Sequence, residues 1–160
     1  MNTQQIDYII RRHVRGFDGV FSSNTLPPDN PRLLVANTQP SDQPGEHWIS
    51  IYVDRNGDGK YFDSFSRPPS RNFKDYLDKH CKSWTYNSTQ LQSIASKLCG
   101  QYCVVWCIFI RKKADLCNLL SSSDTGLNDS IISHIVSRLI WLNKMWWKKS
   151  GLFFFEIHTF

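Results

Sequence analysis

HWISIYVDRNGDGKYFDSF, residues 47–65, is the stretch on which the fold turns. Its first half places Trp48, Ile49, Ile51 and Val53 in the alternation expected of a β-strand. DRNGDGK then offers Asn-Gly and Asp-Gly, whose permissive backbones suit a tight reversal, and YFDSF begins the returning strand. Asp54, Asn56, Asp58 and Gly59 also imitate the opening of a calcium loop. The imitation ends at the twelfth position, which needs a bidentate Glu and holds Phe65, and strands flank the loop where helices are required. The reading is a hairpin, with His47 at its entrance and Asp63 near its exit.

Working outward, LLVANT (33–38) reads as a strand before the turn SDQPGE (41–46), and residues 5–15 suit a short helix. Between them, GFDGVFSSNTLPPDNPR (16–32) is dense in turn formers and reads as an irregular loop. Downstream, Phe73, Tyr76, Leu77 and His80 recur at helical spacing behind Ser70 as a cap, and SWTYNS (83–88) gives a short strand. CGQYCVVWCIFIRKK (99–113) is an apolar segment ending in three basic residues, the pattern of a central buried helix. LNDSIISHIVSRLIWL (127–142) suits an amphipathic helix capped by Asn128 or Asp129, with Ile131, Ile132, Ile135, Val136 and Leu139 inward. The aromatic-rich end, NKMWWKKSGLFFFEIHTF (143–160), has no clear period. We therefore expect one domain over residues 1–140 and an unassigned tail over 141–160.

Hydrophobic residues at 41% and charged residues at 21% are ordinary for a globular chain and argue against disorder. The longest apolar run, Tyr102 to Ile110, falls far short of the roughly 20 residues a membrane helix needs. MNTQQIDYIIRRHVRG has no secretory-signal pattern, and five cysteines, three of them spaced by four in an apolar segment, do not form a disulfide framework. Both point to an intracellular, reducing setting, with nucleus and cytoplasm left open. The net charge of +5 is spread over short groups such as Arg11-Arg12-His13 and Arg111-Lys112-Lys113. That distribution fits a solvated surface as well as a DNA-binding one, so both uses stay open.

Cys99-Gly100 falls where a loop meets the expected central helix, where the helix dipole and unpaired N–H groups favour a thiolate. Cys103 and Cys107, one and two turns on, read as small core residues, and no CxxC pair or nearby histidine completes a zinc set. The hairpin brings Asp63 beside His47, where a carboxylate would fix the imidazole tautomer and stabilise an imidazolium. Taken singly, a surface histidine and a strand-end aspartate are the commoner readings. The ordered set His47, Asp63, Gln92 and Cys99 reverses that balance.

LLVANTQPSDQPGEHWISIYVD, YFDSF and QLQSIASKLCGQYC together resemble the corresponding blocks of the adenovirus protease family, including relatives encoded by Maverick/Polinton elements. GVFSSNTLP and LNDSIISHIVSRL extend the likeness over about residues 17–140. The resemblance implies an α+β fold of the kind shared with ubiquitin-like deconjugating peptidases, in which a small mixed sheet carrying His47 and Asp63 packs on a central helix presenting Cys99. It also implies a cysteine endopeptidase cleaving protein substrates in viral or transposon maturation. Cys99 would be the nucleophile, His47 the base, Asp63 its orienting acid and Gln92 an oxyanion donor. No cofactor is required by the sequence, and family members use DNA or a short peptide as activators.

One departure is Ser66, where the family often has glycine. The rival readings are a ubiquitin- or SUMO-like deconjugating peptidase, and an inactive remnant that binds protein or DNA. Deconjugating enzymes usually place the glutamine six residues before the cysteine, whereas Gln92 and Cys99 are seven apart, the adenoviral spacing.

Overall fold

The computed structural model describes residues 1–120 and 123–150, with side chains to 142; residues 151–160 of the expected tail lie outside it. In chain order the elements are α1 (Thr3–His13), β1 (Gly19–Ser22), β2 (Leu33–Asn37), β3 (Trp48–Val53) and β4 (Asp58–Phe62). They continue with α2 (Arg71–His80), β5 (Ser83–Tyr86), α3 (Cys99–Arg111), α4 (Leu116–Leu119) and α5 (Thr125–Ser150). Among the described residues the strands form one five-stranded sheet in the order β1-β2-β3-β4-β5. Its two outer pairings are parallel and the two inner ones antiparallel, so the fold is α+β with a mixed sheet.

Both faces of the sheet are covered, which is why β2 is buried at every position. Period-two alternation sends Leu33 and Val35 to one face and Leu34 and Ala36 to the other. The first face packs on α3, α1 and α5, with Phe62 stacked on Trp106 at 5.2 Å between ring centroids. The second, with Ile49, Ile51, Val53 and Tyr61, receives Phe73 and Leu77 of α2. Ser50, fully buried on β3, faces α3 and lies 3.8 Å from the Cys107 sulfur. Small residues on both sides of that contact let helix and sheet approach closely.

The hairpin forms as expected. Asp54 closes the turn by accepting from the N–H groups of Asn56 (2.8 Å) and Asp58 (2.9 Å), and Gly57 takes a positive φ of 90°.

Three expectations need correction. Part of the supposed irregular loop is β1, held parallel to β2 because the Asp18 carboxylate accepts from the Arg32 and Leu33 amides at 2.6 and 3.0 Å. Helix α5 starts before Asn128 and Asp129. Its cap is Asp124, which accepts from the Leu127 N–H at 2.8 Å, and Asn128 lies inside the helix, buried. The same helix runs on to Ser150, through residues that showed no period. Its inward face is the expected one: Ile132 and Val136 are buried, with Ile131, Ile135 and Leu139 packed beside them.

Candidate active site

His47 sits just before β3, its carbonyl tied to the ladder by the Thr38 N–H at 2.9 Å, and Asp63 just after β4. The hairpin register therefore brings the two together, and His47 Nε2 meets Asp63 Oδ1 at 2.9 Å. Both side chains are nearly sealed from solvent, 8% and 3% exposed. Phe65 covers the imidazole, ring centroids 5.1 Å apart.

Asp63 is held from three sides. Its Oδ1 also accepts from the Phe65 N–H at 2.7 Å. Where β4–β5 pairing stops, the Asn87 side chain continues it, accepting from the Asp63 N–H at 2.9 Å and donating to the Asp63 carbonyl at 2.8 Å. The Ser66 N–H closes a turn on the same carbonyl at 2.8 Å. Ser66 itself is left-handed, φ 61°, which explains why glycine suits that position; here the Ser66 hydroxyl donates to the Asn87 carbonyl at 3.1 Å.

Cys99 is the first residue of α3. Gly100 behind it sits in tight packing: a Cβ there would lie 3.1 Å from Ile6 Cδ1 and 3.3 Å from both Met1 Cβ and Trp48 Cδ1. That close packing seats the start of α3 against Trp48, whose neighbour is His47. The Cys99 thiol lies close enough to the imidazole and to the Trp48 and Gly100 backbone N–H groups for each of them to act on its pKa.

The electrostatics follow from these contacts. Burial pushes the Cys99 thiol up, but the hydrogen bond from His47, the two backbone N–H groups and the imidazolium charge outweigh it, and its pKa is lowered. For His47, burial disfavours the charged form, yet hydrogen bonds and charges of Asp63 and Cys99 raise its pKa to about 9. The two titrate as a pair, and the shifts in opposite directions favour thiolate with imidazolium. The other four cysteines go the opposite way: burial raises Cys81, Cys103, Cys107 (to about 12) and Cys117 (to about 11). Cys103 and Cys107 are fully buried core residues, as expected.

Gln92 lies on the loop leading into α3 and is fully buried. Its Oε1 accepts from the Ser64 hydroxyl at 2.6 Å, and its Nε2 donates to the Ser96 carbonyl (2.9 Å) and hydroxyl (3.0 Å). The structure thus joins His47 and Asp63 directly, sets Cys99 near enough for its titration to feel the imidazole, and ties Gln92 to the residue after Asp63.

No protein-family profile and no curated protein matches the chain. Solved structures do. A central domain of the uncharacterized Lpg1148 protein from Legionella pneumophila has a TM-score of 0.54 at 12% identity, covering 88% of this chain and 97% of that one. The SUMO protease Ulp1, in a structure with its catalytic cysteine oxidized to a sulfinic acid, has a TM-score of 0.48 at 14% identity over 87% of this chain and 78% of Ulp1. An ASFV protease has a TM-score of 0.39 at 22% identity over 61% of this chain, which spans only 39% of that protease. The Legionella likeness supports the fold; the other two neighbours are described as proteases.

Two positioning contacts escaped the sequence reading. Asn87, 24 residues from Asp63, pins the acid's backbone, and Asn128 donates to the Leu91 carbonyl at 3.0 Å beside Gln92. Only the asparagine in SWTYNS, following a strand beside Asp63's strand, could have hinted at the first. Among the described residues no group of three or more His, Cys, Asp and Glu is arranged to hold a metal, and no helix is long and apolar enough to cross a membrane.

Proposed function

We propose that the chain is a cysteine endopeptidase of the adenovirus-protease type, serving the maturation of viral or transposon-encoded proteins. The observation that carries this reading is the buried His47–Asp63 hydrogen bond of 2.9 Å beside Cys99 at the start of α3, the one cysteine whose pKa is lowered, with the imidazole the strongest influence lowering it.

In this reading the Cys99 thiolate attacks the scissile carbonyl carbon, and the carbonyl π pair moves onto oxygen. The Cys99 backbone N–H and the Gln92 amide receive that oxyanion, with the N–H now shared with the Ser96 hydroxyl turning to it. Collapse breaks the C–N bond as the His47 imidazolium gives its proton to the leaving amine, leaving a thioester. Water then attacks with neutral His47 as base, releasing the acid and restoring the pair. Asp63 holds the imidazole oriented and stabilises its positive form throughout.

The test is peptide hydrolysis by the wild type and by Cys99→Ala. Loss of all turnover in the variant is expected, and undiminished turnover would end the assignment. Peptides cut internally, rather than ubiquitin-like fusions released at their C-terminus, separate this reading from a deconjugating peptidase.

A further inference from the structure

The residue after Asp63 is tied to Gln92 by two hydrogen bonds and to its neighbour Leu91 by a third. The Ser64 carbonyl accepts from the Leu91 and Gln92 N–H groups at 2.9 and 3.0 Å, and the Ser64 hydroxyl donates to Gln92 Oε1 at 2.6 Å. Both side chains are fully buried, so neither finds water as a substitute partner. A glutamine amide has two ends of nearly equal shape, and its partners decide which end points where. The Ser96 carbonyl can only accept, so it draws the NH2 end; the Ser64 hydroxyl supplies the proton that satisfies the oxygen end.

We infer that Ser64 is a positioning residue for oxyanion binding, holding the Gln92 amide with its N–H groups on Ser96, in the loop that leads to Cys99. This rests on the peptidase reading and extends it. The short segment from Asp63 to Ser64 then sets both halves of the site: Asp63 orients the imidazole that carries the proton, and Ser64 orients the amide that meets the developing charge. Cleaving the peptide needs both in register, which a shared backbone segment ensures more firmly than two independent anchors.

Ser64→Ala deletes one hydroxyl from a sealed site and leaves Gln92 Oε1 without that donor. We expect kcat to fall by about tenfold with KM little changed, less than the loss of the amide itself. Alkylation of Cys99 by iodoacetamide should keep its wild-type rate and pH profile, because the thiol and imidazole contacts do not involve Ser64. In a Gln92→Ala background, Ser64→Ala should cost nothing further.

NMR of the Gln92 side-chain NH2 gives a readout independent of turnover: a proton pair with dispersed shifts and slow exchange with water in the wild type, shifted toward free-amide positions and exchanging faster in Ser64→Ala. An additive kcat loss in the double variant, an unchanged Gln92 NH2 signal, or a parallel fall in alkylation would overturn the inference. A wild type that hydrolyses no peptide yet shows the amide fixed by Ser64 would instead sink the peptidase reading and support the clamp as geometry.

Discussion

Asp63→Asn isolates charge from geometry. Asp63 Oδ1 accepts from both His47 and the Phe65 N–H, so the asparagine carbonyl oxygen, kept in place by Phe65, preserves the imidazole orientation while removing the negative charge. In the wild type His47 rises from 6.5 to about 9 against the opposing effect of its burial. At about 1.36 kcal/mol per pKa unit that is about 3 kcal/mol favouring the imidazolium, shared between Asp63 and Cys99. Losing most of it predicts a fall in kcat/KM of about 10²-fold near neutral pH.

The sign of the pH effect is equally definite. A raised histidine pKa contributes stability that is whole below about pH 6.5 and disappears as pH rises through about 9. The lowered thiol pKa works the other way, contributing above the ordinary thiol range near 9.0 and fading as pH falls through the shifted value. Hydrolysis by the wild type should therefore lose activity on an alkaline limb near pH 9, and Asp63→Asn should move that limb to lower pH. Fluorogenic peptide hydrolysis from pH 5.5 to 10, with His47 followed by NMR, measures both. An alkaline limb unmoved in the variant would show that Asp63 does not set the charge state of His47.

Gln92→Ala should lower kcat by about 10²–10³ with little change in KM, and Gln101→Ala, inside α3, should leave kcat nearly unchanged in steady-state assays. Gln90 is a poorer control than its spacing suggests, since its Nε2 donates to the Gln92 carbonyl at 2.9 Å. Cys103→Ala and Cys107→Ala should retain turnover and lose on the order of 1 kcal/mol each in urea unfolding, the cost of a small buried cavity. Asn87→Ala removes both hydrogen bonds to the Asp63 backbone and should cost about 2 kcal/mol in the same unfolding assay, with a loss of turnover that retained stability alone does not restore.

The central hairpin and the central helix were legible because their signals are local. Alternation over Trp48–Val53 and an apolar run closed by basic residues carry their own periods. β1 was hidden because its four residues contain Gly19 and follow a turn, and it exists only by pairing with a strand 15 residues away through Asp18. The start of α5 was misplaced because Asn128 and Asp129 look like caps; in the fold Asn128 serves the Leu91 carbonyl and Asp129 lies 2.8 Å from the Tyr102 hydroxyl. Of the site, residue identity and order could be read, along with the hairpin pairing of His47 and Asp63. The Gln92 contacts could not, since Ser64 lies 28 residues away and nothing in either local pattern links them.

The most direct test of the account is modification of the five cysteines by a limiting thiol-directed electrophile at pH 7, mapped by mass spectrometry in the wild type and in His47→Ala. Cys99 should react first and fast in the wild type, and its lead should collapse in His47→Ala because the lowered thiol pKa depends on the imidazole. Cys81 or Cys117 reacting ahead of Cys99, or a Cys99 rate indifferent to His47, would contradict an activated thiol at the start of α3.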